Sequence, residues 1–188
     1  LGHGGMGIVY LAREVSLDRP VALKLLPPQL AVQPAARERF LREARTAGRL
    51  SHPNIVQVFA VDEVDDFVFM AMAYIDGESL GQRIRARGPR SPSEVTRILR
   101  EVAWALGYAH AQGVVHRDVK PDNILLESAS GRALVADFGI ASVAESAEQE
   151  GEARISGTAE FMSPEQALGE GIGPASDTYS LGVVGFYA

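Results

Sequence analysis

Residues Val114–Leu126, VVHRDVKPDNILL, set His116, Arg117, Asp118, Lys120, Asp122 and Asn123 between two short apolar runs. So polar a loop between apolar segments is costly unless its groups find partners, so it is either a surface turn or a site. Lysine usage points to the second. Of 18 basic residues only Lys24 and Lys120 are lysines, the other 16 being arginine. A lysine kept where arginine is the rule suggests a compact point charge on a flexible stem, which a planar guanidinium does not replace. The alternative is accidental scatter. Lys24 follows apolar residues in VALK, and there it needs an anionic partner. The opening LGHGGMGIVY supplies a third feature, G-x-G-x-x-G at Gly2, Gly4 and Gly7. Alone it is compatible with a simple turn. A dinucleotide fingerprint requires a helix after the glycines, whereas Ile8–Leu11 reads as a strand. The other version is a β-hairpin flap whose amides approach phosphates because no Cβ obstructs them.

These residues need positioning elements. GIVYLARE (Gly7–Glu14), RPVALKLL (Arg19–Leu26) and DDFVFMAMAYI (Asp66–Ile75) are β-branched or alternating and read as strands, with SLDRP as a tight connection. One helix carries Phe40, Leu41, Ala44, Ala47 and Leu50 and ends before SHPN. Further on, Ser91 as N-cap, Pro92 at the first helical position and Glu94 closing a capping box open a helix. Its apolar face is Val95, Ile98, Leu99, Val102, Leu106 and Ala109, and Gly113 stops it. Strands with one helix, then helices, predict a two-lobed α+β protein whose lobes meet near Asp76–Gly77. The acidic run Ser142–Arg154 reads as an exposed loop.

Composition sets the bounds. The chain has 188 residues, 46% hydrophobic and 22% charged, enough for a real core. A net charge of −6 argues against a general nucleic-acid binder. With no cysteine, disulfides and thiolate metal sites are excluded. No stretch approaches the ~18–20 apolar residues of a membrane span. The chain opens inside the glycine motif and stops within an apolar helical pattern, so it reads as a fragment of a longer protein.

In order, the chain carries GHGGMGIV, VALK with Lys24, FLREA with Glu43, HRDVKPDN, DFG at Asp137–Gly139, SPE at Ser163–Glu165 and SDTYSLG at Ser176–Gly182. The ordered set resembles the protein kinases. Its wording, with GTAEFMSPEQA, resembles the bacterial eukaryotic-like (Hanks-type) serine/threonine kinases. The resemblance implies a two-lobed kinase fold truncated at both ends, with residues 1–75 as N-lobe and hinge and residues 76–188 as an incomplete C-lobe.

It also implies ATP and Mg2+ (or Mn2+) as cofactors, and it assigns roles. Asp118 is the catalytic base, Lys120 stabilises γ-phosphoryl oxygens, and Asn123 with Asp137 holds metal. Lys24, held by Glu43, contacts the α/β-phosphates. ATP is further bound by Leu1, Gly2, Gly4, Gly5 and Gly7, by Val9 and Ala22 above the adenine, by Leu125 below it, by the gatekeeper Met72, and by Tyr74 in the hinge Ala73–Ile75. Arg117 receives an activation-loop anion, and Thr158 positions the acceptor. His116 packs under Phe138, and Asp122 is a solvated loop charge. The implied partners are protein substrates with Ser/Thr acceptors, with dimerisation through the kinase domain for autophosphorylation and no nucleic acid. The implied location is cytoplasmic, with any membrane anchor outside this fragment.

Two departures from the family pattern stand out. The arginine that pairs with Glu165 in relatives is absent, which predicts an unpartnered carboxylate that destabilises the second lobe. In the activation segment Glu150 and Glu152 lie where relatives carry phosphorylatable threonines; they are candidates for a built-in anion, with Ser142, Ser146 or Ser156 as the competing phosphosites. A pseudokinase or nucleotide-binding scaffold is the alternative function, and it would normally lose Lys24, Asp118 or Asp137. A nucleotide-binding sensor or small-molecule kinase is the third, against which GTAEFMSPEQA stands as a peptide platform.

Overall fold

The computed structural model describes residues 2–4, 7–65, 67–138 and 159–188. The chain divides into two compact units. The first comprises the residues through Ser51 together with Val56–Ile75; the second comprises His52–Ile55, Asp76–Phe138 and the chain from 159 on.

In the first unit, β1 (Gly2–Gly4), β2 (Gly7–Glu14), β3 (Arg19–Leu25), β4 (Val58–Val64) and β5 (Phe67–Ala73) form an antiparallel sheet in the order β1-β2-β3-β5-β4. Val9 pairs with Lys24 and Leu11 with Ala22, while Lys24 pairs with Met70 and Ala22 with Met72. Paired residues share a face, so Val9, Leu11, Ala22, Lys24, Met70 and Met72 line one side of the sheet. The short α1 (Pro28–Ala31) leads into α2 (Pro34–Ala47), which buries Ala36, Phe40, Ala44 and Ala47, a stripe of helical period. Leu50 lies beyond the helix end but is only 1% exposed. The strand β4 was not expected. A register shift between Val58 and Ala60 interrupts its alternation, and Phe59 and Ala60 are exposed.

The second unit is mainly helical. Its α3 (Leu80–Arg87) starts with a complete capping box, Ser79 Oγ accepting from Gln82 N–H and Gln82 Oε1 from Ser79 N–H. The long α4 (Pro92–Ala111) is capped by Ser91, whose Oγ accepts from Glu94 N–H at 3.3 Å. The expected box there is half made, because the Glu94 carboxylate bonds to Arg83 at 3.1 Å. A small sheet, β6 (Gly77–Ser79), β7 (Ile124–Glu127) and β8 (Ala133–Val135), was also not anticipated. Gly77 is required in it, since a Cβ would lie 2.1 Å from the Leu126 carbonyl oxygen. The apolar run before the central loop, Val114–Val115, forms no strand. Two further helices follow, α5 (Pro164–Ala167) and α6 (Pro174–Tyr187). The core joins Ile98, Val102 and Leu106 of α4 to Ile124, Leu126 and Val135 of the sheet.

The segment His52–Ile55 belongs to this unit although the chain on both sides of it belongs to the first. Asn54 Nδ2 donates to the Ala133 carbonyl and Asn54 O accepts from Val135 N–H, each at 2.8 Å. His52 stacks on Tyr108 with ring centroids 5.2 Å apart, and burial holds its imidazole pKa below the ordinary histidine value. Among the described residues no helix is long and apolar enough to cross a membrane.

Candidate active site

The polar loop after α4 lies in the second unit, and buried partners hold its backbone. Asp177, in the first turn of α6, is 1% exposed. Its Oδ2 accepts from His116 N–H at 2.8 Å and from His110 Nε2 at 2.7 Å, and its Oδ1 accepts from Arg117 N–H at 2.8 Å. Three donors satisfy a carboxylate whose burial would otherwise be prohibitive. From the other side Gln166 of α5 closes its own helix cap and donates through Nε2 to the Arg117 carbonyl at 2.7 Å. So held, Arg117 takes φ 69°, a left-handed conformation that a residue with a Cβ adopts only when its surroundings impose it. Its side chain is exposed.

His116 is fully buried and lies edge-on to Phe138 with centroids 4.7 Å apart, which agrees with its expected structural place. Its Nδ1 accepts from Asp118 N–H at 3.1 Å, so the proton sits on Nε2, which donates to the Ala136 carbonyl at 2.9 Å. The ring therefore links the loop to the segment carrying Asp137. Asn123 adds a second link, its carbonyl accepting from Ala136 N–H at 2.9 Å. Ile124 pairs with Val135, so the chain reaches Asn123 and Ala136 side by side, with Asp137 the next residue at φ 62°.

Asp118, Lys120 and Asn123 come together. Lys120 Nζ lies 2.8 Å from Asp118 Oδ2. Asn123 Nδ2 donates to the same oxygen at 2.9 Å and to the Asp118 carbonyl at 2.8 Å. With both bonds on its nitrogen, the Asn123 amide presents its oxygen away from Asp118. Asp118 Oδ1 is buried and has no hydrogen-bond partner among the described residues. The carboxylate thus has one oxygen fixed by donors and one able to take a proton.

Among the described residues no three His, Cys, Asp or Glu gather into an all-protein metal cage. The amide oxygen of Asn123 and the carboxylate of Asp137 instead suit a hard cation that draws its remaining ligands from phosphate and water, as Mg2+ does. In the first unit Lys24 is 3% exposed in β3, and Ala22 and Met72, 6% and 7% exposed, face each other across β3 and β5. Glu43 lies on α2 beside its buried stripe. Tyr74 follows β5, and Leu125 of the second unit pairs with Ser79 and Leu134. Leu1, Gly5, Thr158 and Gly139, and the activation-segment positions Ser142, Ser146, Glu150, Glu152 and Ser156, lie outside the described residues.

Asp122 is an exposed loop charge, as expected, and it also pairs with Arg85, whose Nη2 donates to its Oδ1 at 2.7 Å. One expectation is corrected. Glu165 has a partner: Ser176 Oγ donates to its Oε1 at 2.5 Å and holds its carboxyl pKa below the usual carboxylate range. Glu165 is also only partly buried, so it does not put an uncompensated charge in the interior. Sequence reasoning gave no role to Asp177, His110 or Gln166. Asp177 lay within SDTYSLG and Gln166 within GTAEFMSPEQA, motifs read only as family wording, and His110 was a histidine at the end of α4.

The chain is 42% identical over 189 residues to the serine/threonine-protein kinase PknB of Mycobacterium leprae, covering 98% of this chain and 30% of that protein. It is 41% identical to the serine/threonine-protein kinase PrkC of Bacillus subtilis, covering 99% of this chain and 28% of the relative. The chain thus spans less than a third of the length of either. The crystal structure of the Mycobacterium tuberculosis PknI kinase domain matches with a TM-score of 0.79 at 36% identity, over 98% of this chain and 69% of that one. The family model described as the protein kinase domain matches residues 1–188, and the chain belongs to the protein kinase family.

Proposed function

We propose that the chain is the catalytic part of a serine/threonine protein kinase, with Asp118 as the base. The observation that carries the proposal is the asymmetry of the Asp118 carboxylate. Oδ2 is held by Lys120 and Asn123, while Oδ1 is buried without a hydrogen-bond partner among the described residues. Such an oxygen can take the proton of an incoming hydroxyl. As the hydroxyl oxygen bonds to the γ-phosphorus of ATP, the bond from that phosphorus to the β–γ bridging oxygen breaks. The hydroxyl proton passes to Asp118 Oδ1 and ADP departs.

Lys120 keeps positive charge next to the transferred group while fixing the other oxygen of the base. Lys24, oriented by Glu43, takes the α/β-phosphates, and Leu1, Gly2, Gly4, Gly5 and Gly7 are further ATP-binding residues. Val9, Ala22 and Met72 share one sheet face and, with Tyr74, supply apolar surface for adenine. Asn123 and Asp137 hold Mg2+ or Mn2+, which when bound neutralises phosphate charge. Arg117 receives an anion from the activation segment, and Thr158 positions the acceptor. Residues 1–75 form the nucleotide-holding lobe and hinge, and residues 76–188 the lobe that bears the loop. The serine/threonine preference is supported by the names of PknB and PrkC. Acceptors are protein side chains, with dimerisation through the kinase domain for autophosphorylation. The catalytic domain is cytoplasmic.

The test is transfer from γ-labelled ATP to the chain itself and to generic protein substrates with Mg2+ or Mn2+. Phosphoserine or phosphothreonine is expected. ATP binding without either product replaces the enzyme with a nucleotide-binding scaffold.

A further inference from the structure

Asn123 belongs to a single 3-10 turn, Pro121–Asn123, and the residue before it, Asp122, leans on α3. Two features of α3 meet there. Arg85 presents its fork to the carboxylate, Nη2 at 2.7 Å from Oδ1 and Nη1 at 3.5 Å from Oδ2. Gly81, buried in the first turn of the helix, lies directly beneath the same group. A Cβ added at Gly81 would fall 2.5 Å from Asp122 Oδ1, 2.9 Å from its Cγ and 3.1 Å from Arg85 Nη1. The missing side chain is thus what lets the carboxylate lie against the helix and meet the fork.

The pair is half exposed, its side chains keeping 58% and 49% of their accessibility, so it contributes little to folding stability. What it settles is geometry. On one side the turn is tied to the neighbouring strand by Ala136 N–H to Asn123 O. On the other its tie to α3 runs through Asp122. The Asn123 amide, turned by its two bonds to Asp118, stands between these anchors.

We propose that Gly81 and Arg85 form a seat for Asp122 that sets the orientation of the Asn123 amide, and through it the divalent-cation affinity of the site. The three are positioning residues, and the proposal rests on the kinase reading above. An alanine at position 81 keeps both charges but obliges Asp122 to rotate off the helix. An alanine at position 85 keeps the space but removes the fork. Both therefore act by releasing the Asp122 side chain from its place on α3.

The experiment measures Mn2+ binding by electron paramagnetic resonance with a non-hydrolysable ATP analogue, and in parallel the Mg2+ dependence of turnover and the melting temperature. Gly81→Ala and Arg85→Ala are each expected to weaken nucleotide-dependent Mn2+ binding by about tenfold, the usual order for removing a group that orients a metal ligand. Their melting temperatures should stay within about 2–4 °C of the parent. The double variant should bind no more weakly than either single one, because both substitutions act through Asp122. If folded variants bind Mn2+ as the parent does, the seat is overturned. An effect of Arg85→Ala without one from Gly81→Ala overturns it too, by pointing to long-range charge. Should the alanine variants melt far lower, Arg85→Lys keeps the charge without the fork, and unchanged Mn2+ binding in that variant also overturns the proposal. A parent chain that takes up no nucleotide-dependent Mn2+ overturns the kinase reading itself and the seat with it.

Discussion

At the residue scale the roles proposed for Asp118 and its neighbours differ, and substitutions should separate them. Asp118→Asn removes the proton acceptor but keeps the shape, so turnover should fall by about 10²–10⁴, the usual contribution of a general base, with ATP affinity nearly unchanged. Steady-state transfer beside equilibrium nucleotide binding checks this. Lys24→Arg keeps the charge but puts a planar fork into a position only 3% exposed, so most transfer should be lost and ATP binding weakened. The grouping of Asp118, Lys120 and Asn123 was legible in the sequence because it is local, five residues from carboxylate to amide, and its types are unusual between apolar runs. The pairing of Asp122 was missed for the opposite reason. Its partner Arg85 lies 37 residues upstream on another helix, and nothing near Asp122 announces it. Glu165 was misread likewise, its acceptor role depending on Ser176 eleven residues on.

At the element scale α6 organises the loop through one buried carboxylate. Asp177→Ala leaves the His116 and Arg117 amides and His110 without their acceptor, and breaking so buried a set costs about 3–5 kcal/mol. Chemical denaturation should show that loss, and transfer should vanish even where the protein remains folded. The Glu165–Ser176 bond joins α5 to α6 and carries a pH signature. The hydroxyl lowers the Glu165 pKa in the folded state, so its contribution is full above the ordinary glutamate value of about 4.3 and is lost as pH falls through the lowered one. Ser176→Ala should therefore lower the melting temperature at neutral pH, and the difference from the parent should close on acidification. Helices were readable from period and caps, as α4 with Ser91 and Pro92 shows. The short strands were not. β6 begins with Gly77 and is a strand only because β7 pairs with it, and the alternation of β4 is broken by its own register shift.

At the scale of the whole molecule the division into two units does not follow the chain in two simple blocks. His52–Ile55 leaves the first unit, docks on the second through Asn54 and the stack on Tyr108, and returns at Val56. The two-lobed α+β class was legible from the change of periodicity along the chain, but this excursion was not, because SHPN looks like an ordinary loop. Its structural value lies in bonds to residues about eighty positions away. Burial makes the excursion sensitive to acid. The His52 pKa is lowered in the folded state, so the unfolded chain binds the additional proton first. Stability should therefore be full above the ordinary histidine value of about 6.5 and should decline as pH falls below it towards the lowered folded value. His52→Asn supplies an oxygen for the Asn54 N–H that now bonds to Nδ1 at 3.1 Å, and it does not titrate. Denaturation midpoints measured from pH 8 down to pH 5 should slope for the parent and flatten for this variant. Parallel slopes would assign the acid sensitivity to other groups and leave His52 a neutral stacking partner throughout.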